Sequence, residues 1–216
     1  MKKNYKMSER LGRMIELSPV LPSAEILNKQ ATDVPVAEIA SDETQRLVDE
    51  MLKIANGTQG DTKRRTMVGL AAPQLGIDKR IIVVDIASTG MGETPDLRAY
   101  INPKIINSSG QTEQGREGCF STGNVCGIVE RSSSVTIEAY DRSGNSLSEK
   151  WDSFTARIFQ HEIDHLEGIR FPERITDDKK LHWVEPELFG EYRVHWAEWS
   201  ELCPRATWEA IKAGKE

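Results

Sequence analysis

The five residues His161-Glu162-Ile163-Asp164-His165 carry the clearest chemistry in the chain. On a helix, residues four apart lie one turn above each other, so both imidazoles reach a single cation. Glu162 stands beside them, where a carboxylate serves as general base toward a water that such a cation activates. A hydrolytic cation takes three protein ligands and keeps one position open. The spacing leaves the third ligand undecided. Downstream stand Glu173, His182, Glu185 and Glu187. Upstream, Glu117-Gly118-Cys119-Phe120-Ser121 sets a thiol among small and polar residues, as a cleft-facing thiolate would be, although an isolated cysteine is more often a small buried hydrophobe. A downstream ligand implies an HExxH zinc peptidase that cuts internal peptide bonds. A dispensable Glu162 implies a non-catalytic, metal-stabilised binding module.

These groups need elements to hold them. Asp152 or Ser153 caps a predicted helix that shows Phe154, Ile158, His161 and His165 on one face and stops at Gly168. An earlier helix is predicted from Ser41 or Asp42, with Leu47, Val48, Met51, Leu52 and Ala55 at helical spacing and Gly57 as its stop. Between them, Arg80 to Ile86, Tyr100 to Ile106 and Ser134 to Tyr140 are rich in β-branched and aromatic residues and read as strands. Asp141-Arg142-Ser143-Gly144-Asn145 reads as a hairpin turn into a further strand, Ser146 to Trp151. Hairpin-linked strands followed by one working helix, with no βαβ alternation, predict an α+β fold: antiparallel β-sheets packed around a central helix that bears the metal motif. The segment Asn56 to Thr66, with Lys63, Arg64 and Arg65, reads as a solvated loop.

A chain of 216 residues is long enough for one packed domain with decorated ends. Lys plus Arg number 28 against 34 Asp plus Glu, a net charge of -6, which argues against a dedicated nucleic-acid or anionic-membrane binder. The three cysteines, Cys119, Cys126 and Cys203, are too few for a disulfide scaffold, and the reducing cytoplasm is the expected compartment. Ser8, Glu9, Arg10 and Arg13 interrupt what would be the apolar core of a signal peptide, and no run approaches the roughly 18 apolar residues of a membrane span. Residues 1–24 read as an N-terminal extension. Residues 185–216 read as a C-terminal helical extension whose Trp196, Trp199 and Trp208 pack onto the domain; the alternative is a partner surface for the ribosome or a second subunit.

Three short motifs in fixed order make the chain resemble the peptide deformylases: Gly69-Leu70-Ala71-Ala72-Pro73-Gln74, then Glu117-Gly118-Cys119-Phe120-Ser121, then Gln160-His161-Glu162-Ile163-Asp164-His165-Leu166. The likeness runs from about residue 25 to Val184, a catalytic domain over 25–184. It implies removal of the formyl group from the N-terminal formylmethionine of new polypeptides, with release of formate. It implies Cys119, His161 and His165 as ligands of one divalent metal, Fe(II) in the cell, with zinc, nickel or cobalt able to take its place. Glu162 is then the general base, the Gln74 amide and the Phe120 backbone N–H stabilise the oxyanion, and Gly69 lets the substrate backbone approach. Glu117 becomes a group that orients a ligand histidine, and Val68, Phe154 and Ile158 candidates for a methionine pocket. Cys126 is read as packing. The chain departs from the family at Met67, where a glycine is common, and at Phe120, where leucine is usual. It also has Thr122-Gly123-Asn124 where Pro and a substrate-facing Arg often follow.

Overall fold

The computed structural model describes residues 17–57, 67–89 and 94–215. Most of the loop expected over Asn56 to Thr66 lies outside them, as do residues 1–16 of the N-terminal segment. In chain order the elements are α1 (Asp42–Ala55), β1 (Gly69–Ala71), β2 (Ile81–Asp85), β3 (Leu97–Ser108), β4 (Thr112–Gly118), β5 (Val125–Ser132), β6 (Ser134–Tyr140), β7 (Ser146–Asp152), α2 (Ser153–Leu166), β8 (Leu181–Trp183), α3 (Phe189–His195) and α4 (Arg205–Ala213). Two antiparallel sheets result, one ordered β1-β2-β3-β6-β7 and the other β4-β5-β8. The α+β expectation is met.

The helix α2 sits between them. Its Ala156, Ile158, Phe159, Ile163 and Leu166 bury against Ile82, Val84, Tyr100, Val135 and Ile137 of the larger sheet. Gly168 ends the run with φ of 71°, and its Cβ position would lie 2.8 Å from Asn28 C, so no other residue fits there. The start differs from expectation. Asp152 occupies the cap position without a side-chain hydrogen bond, and Ser153 takes φ of 53°. Helix α1 starts at Ser41, whose hydroxyl accepts from Thr44 N at 3.3 Å, and buries Leu47, Val48, Met51 and Ile54 against the other part of the core.

The hairpin between β6 and β7 forms at the turn expected for it. Asp141 Oδ1 accepts from Ser143 N and Asn145 N, and Gly144 takes φ of 82°. The smaller sheet was not expected from pattern. Its β4 pairs with β5 from Thr112↔Ser132 to Gly118↔Cys126, and β5 pairs with β8 through Cys126↔His182.

Beyond β8 the chain stays packed. Trp208 of α4 is fully buried with Phe171, Ile175, Leu181 and Ile211, while Tyr192 of α3 is buried with Cys126 and Val184 and flanked by Trp196 and Trp199. The segment before α1 is tied in as well, by Val20 N to Gln74 O at 2.8 Å. Among the described residues no helix is long and apolar enough to cross a membrane.

Candidate active site and metal centre

One turn of α2 separates His161 from His165, and their ring centroids lie 5.0 Å apart. Across from them, β4 ends at Gly118 and delivers Cys119 at the cap of a single 3-10 turn, Phe120–Thr122. The Cys119 Sγ lies 3.3 Å from His165 Nε2. One ligating atom each from Cys119, His161 and His165 lies within 4.8 Å of the other two. Among the described residues no other three His, Cys, Asp or Glu groups converge this way. The downstream alternatives are engaged elsewhere: Glu173 with Lys212, Glu185 with Asn124 and Trp183, and His182 with the Tyr192 hydroxyl at 3.0 Å. A third ligand from that region has no support here.

The donor set fits a metal. One sulfur and two nitrogens make a mixed soft and borderline site of the kind zinc, iron, cobalt or nickel accept. His161 Nδ1 bonds Glu117 Oε2 at 2.8 Å, so its Nε2 is the nitrogen left for an ion. Burial opposes charge on Cys119 and His161 alike, yet their contact with each other, with His165 and with Glu117 prevails. The thiol is held well below its ordinary range and the imidazole well above. The cysteine is thus disposed toward the thiolate form that binds metal.

Gln74 closes one side. Its Oε1 accepts from Ala71 N at 2.7 Å, which prevents the amide from flipping, and its Nε2 donates to Cys119 Sγ at 3.1 Å and to Ser121 Oγ at 3.3 Å. Gly69 lies against Glu162. A Cβ there would lie 2.7 Å from Glu162 Cδ, so the absent side chain is the space the carboxylate occupies. Glu162 Oε2 is buried with no hydrogen-bond partner, and burial, only partly offset by His161 and His165, pushes this carboxyl up to about 7. Phe120 leaves its side chain half exposed. As the first residue of its turn, its N–H has no acceptor within that turn.

Behind the histidines lies a charge network that sequence reasoning reached only at Glu117. Arg131 donates to both Glu117 oxygens at 2.9 Å and to Asp164 Oδ2 at 2.6 Å, and Arg157 donates to Glu117 Oε1 at 2.9 Å. Arg174 adds a 2.6 Å bond to Asp164 Oδ1. Burial resists ionisation of Glu117, but His161 and Arg131 hold it far below the usual carboxylate range. Gly115 makes the room, since a Cβ there would lie 2.9 Å from the Arg157 guanidinium. The position of Asp164 inside the motif and of Arg157 one turn before His161 was the available signal. The proposed methionine pocket fares differently. Ile158 is buried in the core with Phe154 packed against it, while Val68 is exposed. Cys126 is buried, and burial pushes its thiol up to about 12.

Comparison with known proteins gives the family. Residues 20–181 match the family model of polypeptide deformylase. A peptide deformylase of Thermomicrobium roseum is 42% identical over 145 residues, covering 66% of this chain and 82% of that one. One from Desulforudis audaxviator is 38% identical over 144 residues, covering 66% and 88%. Among solved structures, the Met-Ala-Ser-bound class I type b peptide deformylase of Acinetobacter baumannii aligns with a TM-score of 0.67 at 31% identity, covering 76% of this chain and all of that one. That of Thermotoga maritima aligns with a TM-score of 0.64 at 28% identity, covering 74% and 98%. Fold and site therefore define a metal-dependent hydrolase. The chain belongs to the polypeptide deformylase family, the enzymes that remove the N-formyl group from formylmethionyl polypeptides.

Proposed function

We propose that in this enzyme Cys119, His161 and His165 hold one divalent cation, Fe(II) in the cell, and that Glu162, Gln74 and Phe120 carry the deformylation around it. The observation that supports the reading most is the convergence of one thiol and two imidazoles beside a buried carboxylate, one oxygen of which has no hydrogen-bond partner. Held there, such a cation would supply Lewis-acid polarisation and would lower the pKa of water, from 15.7 to about 7 in the case of zinc.

The chain's own groups do the rest. Glu162 takes a proton from the water that attacks the formyl carbon, as a buried carboxylate next to both ligand histidines can. The oxygen that gains charge accepts from Gln74 Nε2, whose bond to Ser121 is 3.3 Å long, and from the Phe120 N–H. Each donor is worth about 3 kcal/mol. Glu162 then passes its proton to the amine nitrogen, the C–N bond breaks, and formate and a free N-terminus leave. Gly69 keeps a side chain out of the path of the base and of the substrate backbone. The same reading places the work in the cytoplasm, where formylmethionyl chains leave the ribosome; the free thiols of Cys119, Cys126 and Cys203 support it.

Formate release from formyl-Met-Ala-Ser, measured beside metal content, tests the assignment. Cys119→Ala is expected to lose both. Retention of metal and activity by that variant returns the site to a downstream ligand and removes the proposal.

A further inference from the structure

We propose that Trp208 is a positioning residue for the Cys119 side of the site, and that α4 therefore belongs to the catalytic unit although it lies beyond the family match at residue 181. The inference rests on the reading of Cys119 as a ligand.

Cys119 is only partly buried, and the apolar surface it leans on is the cluster of Val125, Phe171, Leu181, Trp208 and Ile211. Two members come from α4. That helix also touches the Phe120–Thr122 turn, which follows the cysteine directly. Phe171 of the same cluster stacks against the His161 ring, with centroids 6.1 Å apart and planes 24° from parallel. One apolar block thus backs the thiol and one of the imidazoles.

Trp208 is held in that block by shape and charge. Its indole is fully buried with Nε1 unpartnered, so no hydrogen bond justifies the residue and its contribution is the ring itself. Arg170 Cζ lies 4.8 Å above the ring. The guanidinium also donates to Pro22 O at 2.5 Å and to Asn28 Oδ1 at 2.6 Å, which ties the indole to the segment preceding α1. The flank of α4 is pinned separately. Lys212 pairs with Glu173, and Arg205 donates to Pro172 O and Ile175 O at 2.7 Å each. The helix cannot retreat from the thiol without breaking these bonds, so Sγ is kept at its distance from the imidazoles.

The test uses full-length cobalt(II)-loaded protein challenged with a chelator. Cobalt loss is followed through the thiolate-to-cobalt absorption, with circular dichroism reporting the fold and unfolding measured for loaded and metal-free forms. Trp208→Ala is expected to lose cobalt about tenfold faster than wild type, as supports around ligands do when removed, with Trp208→Phe between them. The stabilisation that cobalt confers should shrink in the same order, which a merely structural residue would leave unchanged. A folded Trp208→Ala protein that keeps cobalt as wild type does overturns the proposal. If that variant does not fold, Trp208→Phe decides alone, and wild-type retention by it overturns the proposal. Cys119→Ser is the control. If it keeps the metal and the absorption band, the ligand reading fails; if it loses both while the Trp208 variants match wild type, only the role of Trp208 fails.

Discussion

Gly69 and Glu162 compete for one volume. A Cβ on Gly69 would lie 2.7 Å from Glu162 Cδ and 2.8 Å from its Cγ, and its neighbour Leu70 is fixed in the β1 pairing with Val83. The carboxylate would have to yield, because the strand cannot. Gly69→Ala should lower kcat by about 100-fold, the cost of displacing a reacting group by roughly 1 Å, while metal content stays at the wild-type level. Formate release and metal analysis on the same sample check it; unchanged kcat would mean that the carboxylate tolerates the shift.

Glu162→Gln keeps the size of the side chain and removes its ability to take a proton. We expect a loss of about 10² to 10⁴ in kcat with the metal retained. Comparison with Glu162→Asp, which keeps the acid and shortens its reach, separates proton transfer from packing. Equal activity of the Gln variant and wild type would exclude Glu162 as the base.

Arg131 binds Glu117 through two bonds and Asp164 through a third, all of them buried. Arg131→Met removes the cation and leaves two carboxylates in the interior. The expected cost is about 3 to 5 kcal/mol in denaturant unfolding, the range for a buried pair broken from one side. Glu117→Gln should weaken metal binding by about 10- to 100-fold, since His161 loses the charged acceptor that orients it and Arg131 meets an amide in place of a carboxylate.

Gly118 and Cys126 face each other across β4 and β5, and a Cβ on Gly118 would lie 2.8 Å from Cys126 Sγ. Gly118→Ala should destabilise by about 1 to 3 kcal/mol, as overpacking does. Adding Cys126→Ala, which removes the sulfur, should restore part of that loss in a double-mutant cycle. Additive losses would show that the two do not share the space.

The helices and the three motifs were readable because each leaves a local trace. Leu47, Val48 and Met51 repeat at helical spacing on α1, and His161 and His165 lie four apart on α2. The Asp141 to Asn145 turn carries its own side-chain chemistry. The sheet that carries Cys119 left almost none. Thr112–Gly118 is a strand of polar residues and glycines, and it pairs because β5 offers a partner, not because it alternates. Val125, Ile128 and Val129 did offer a strand signal in β5. Nothing local marks Arg131 or Arg157 as a buried cation, because a buried ion pair is defined by a partner distant in the chain. Phe154 and Ile158 do have the spacing of a pocket wall, but spacing alone does not distinguish a wall from a core.

Arg131 spans Glu117 on β4 and Asp164 on α2, so the strand that leads to Cys119 and the helix that carries both histidines are fastened to each other through a guanidinium. On the proposed ligand reading, exchanging one ion for another would then require no refolding, and a single scaffold could take whichever suitable ion its surroundings supply.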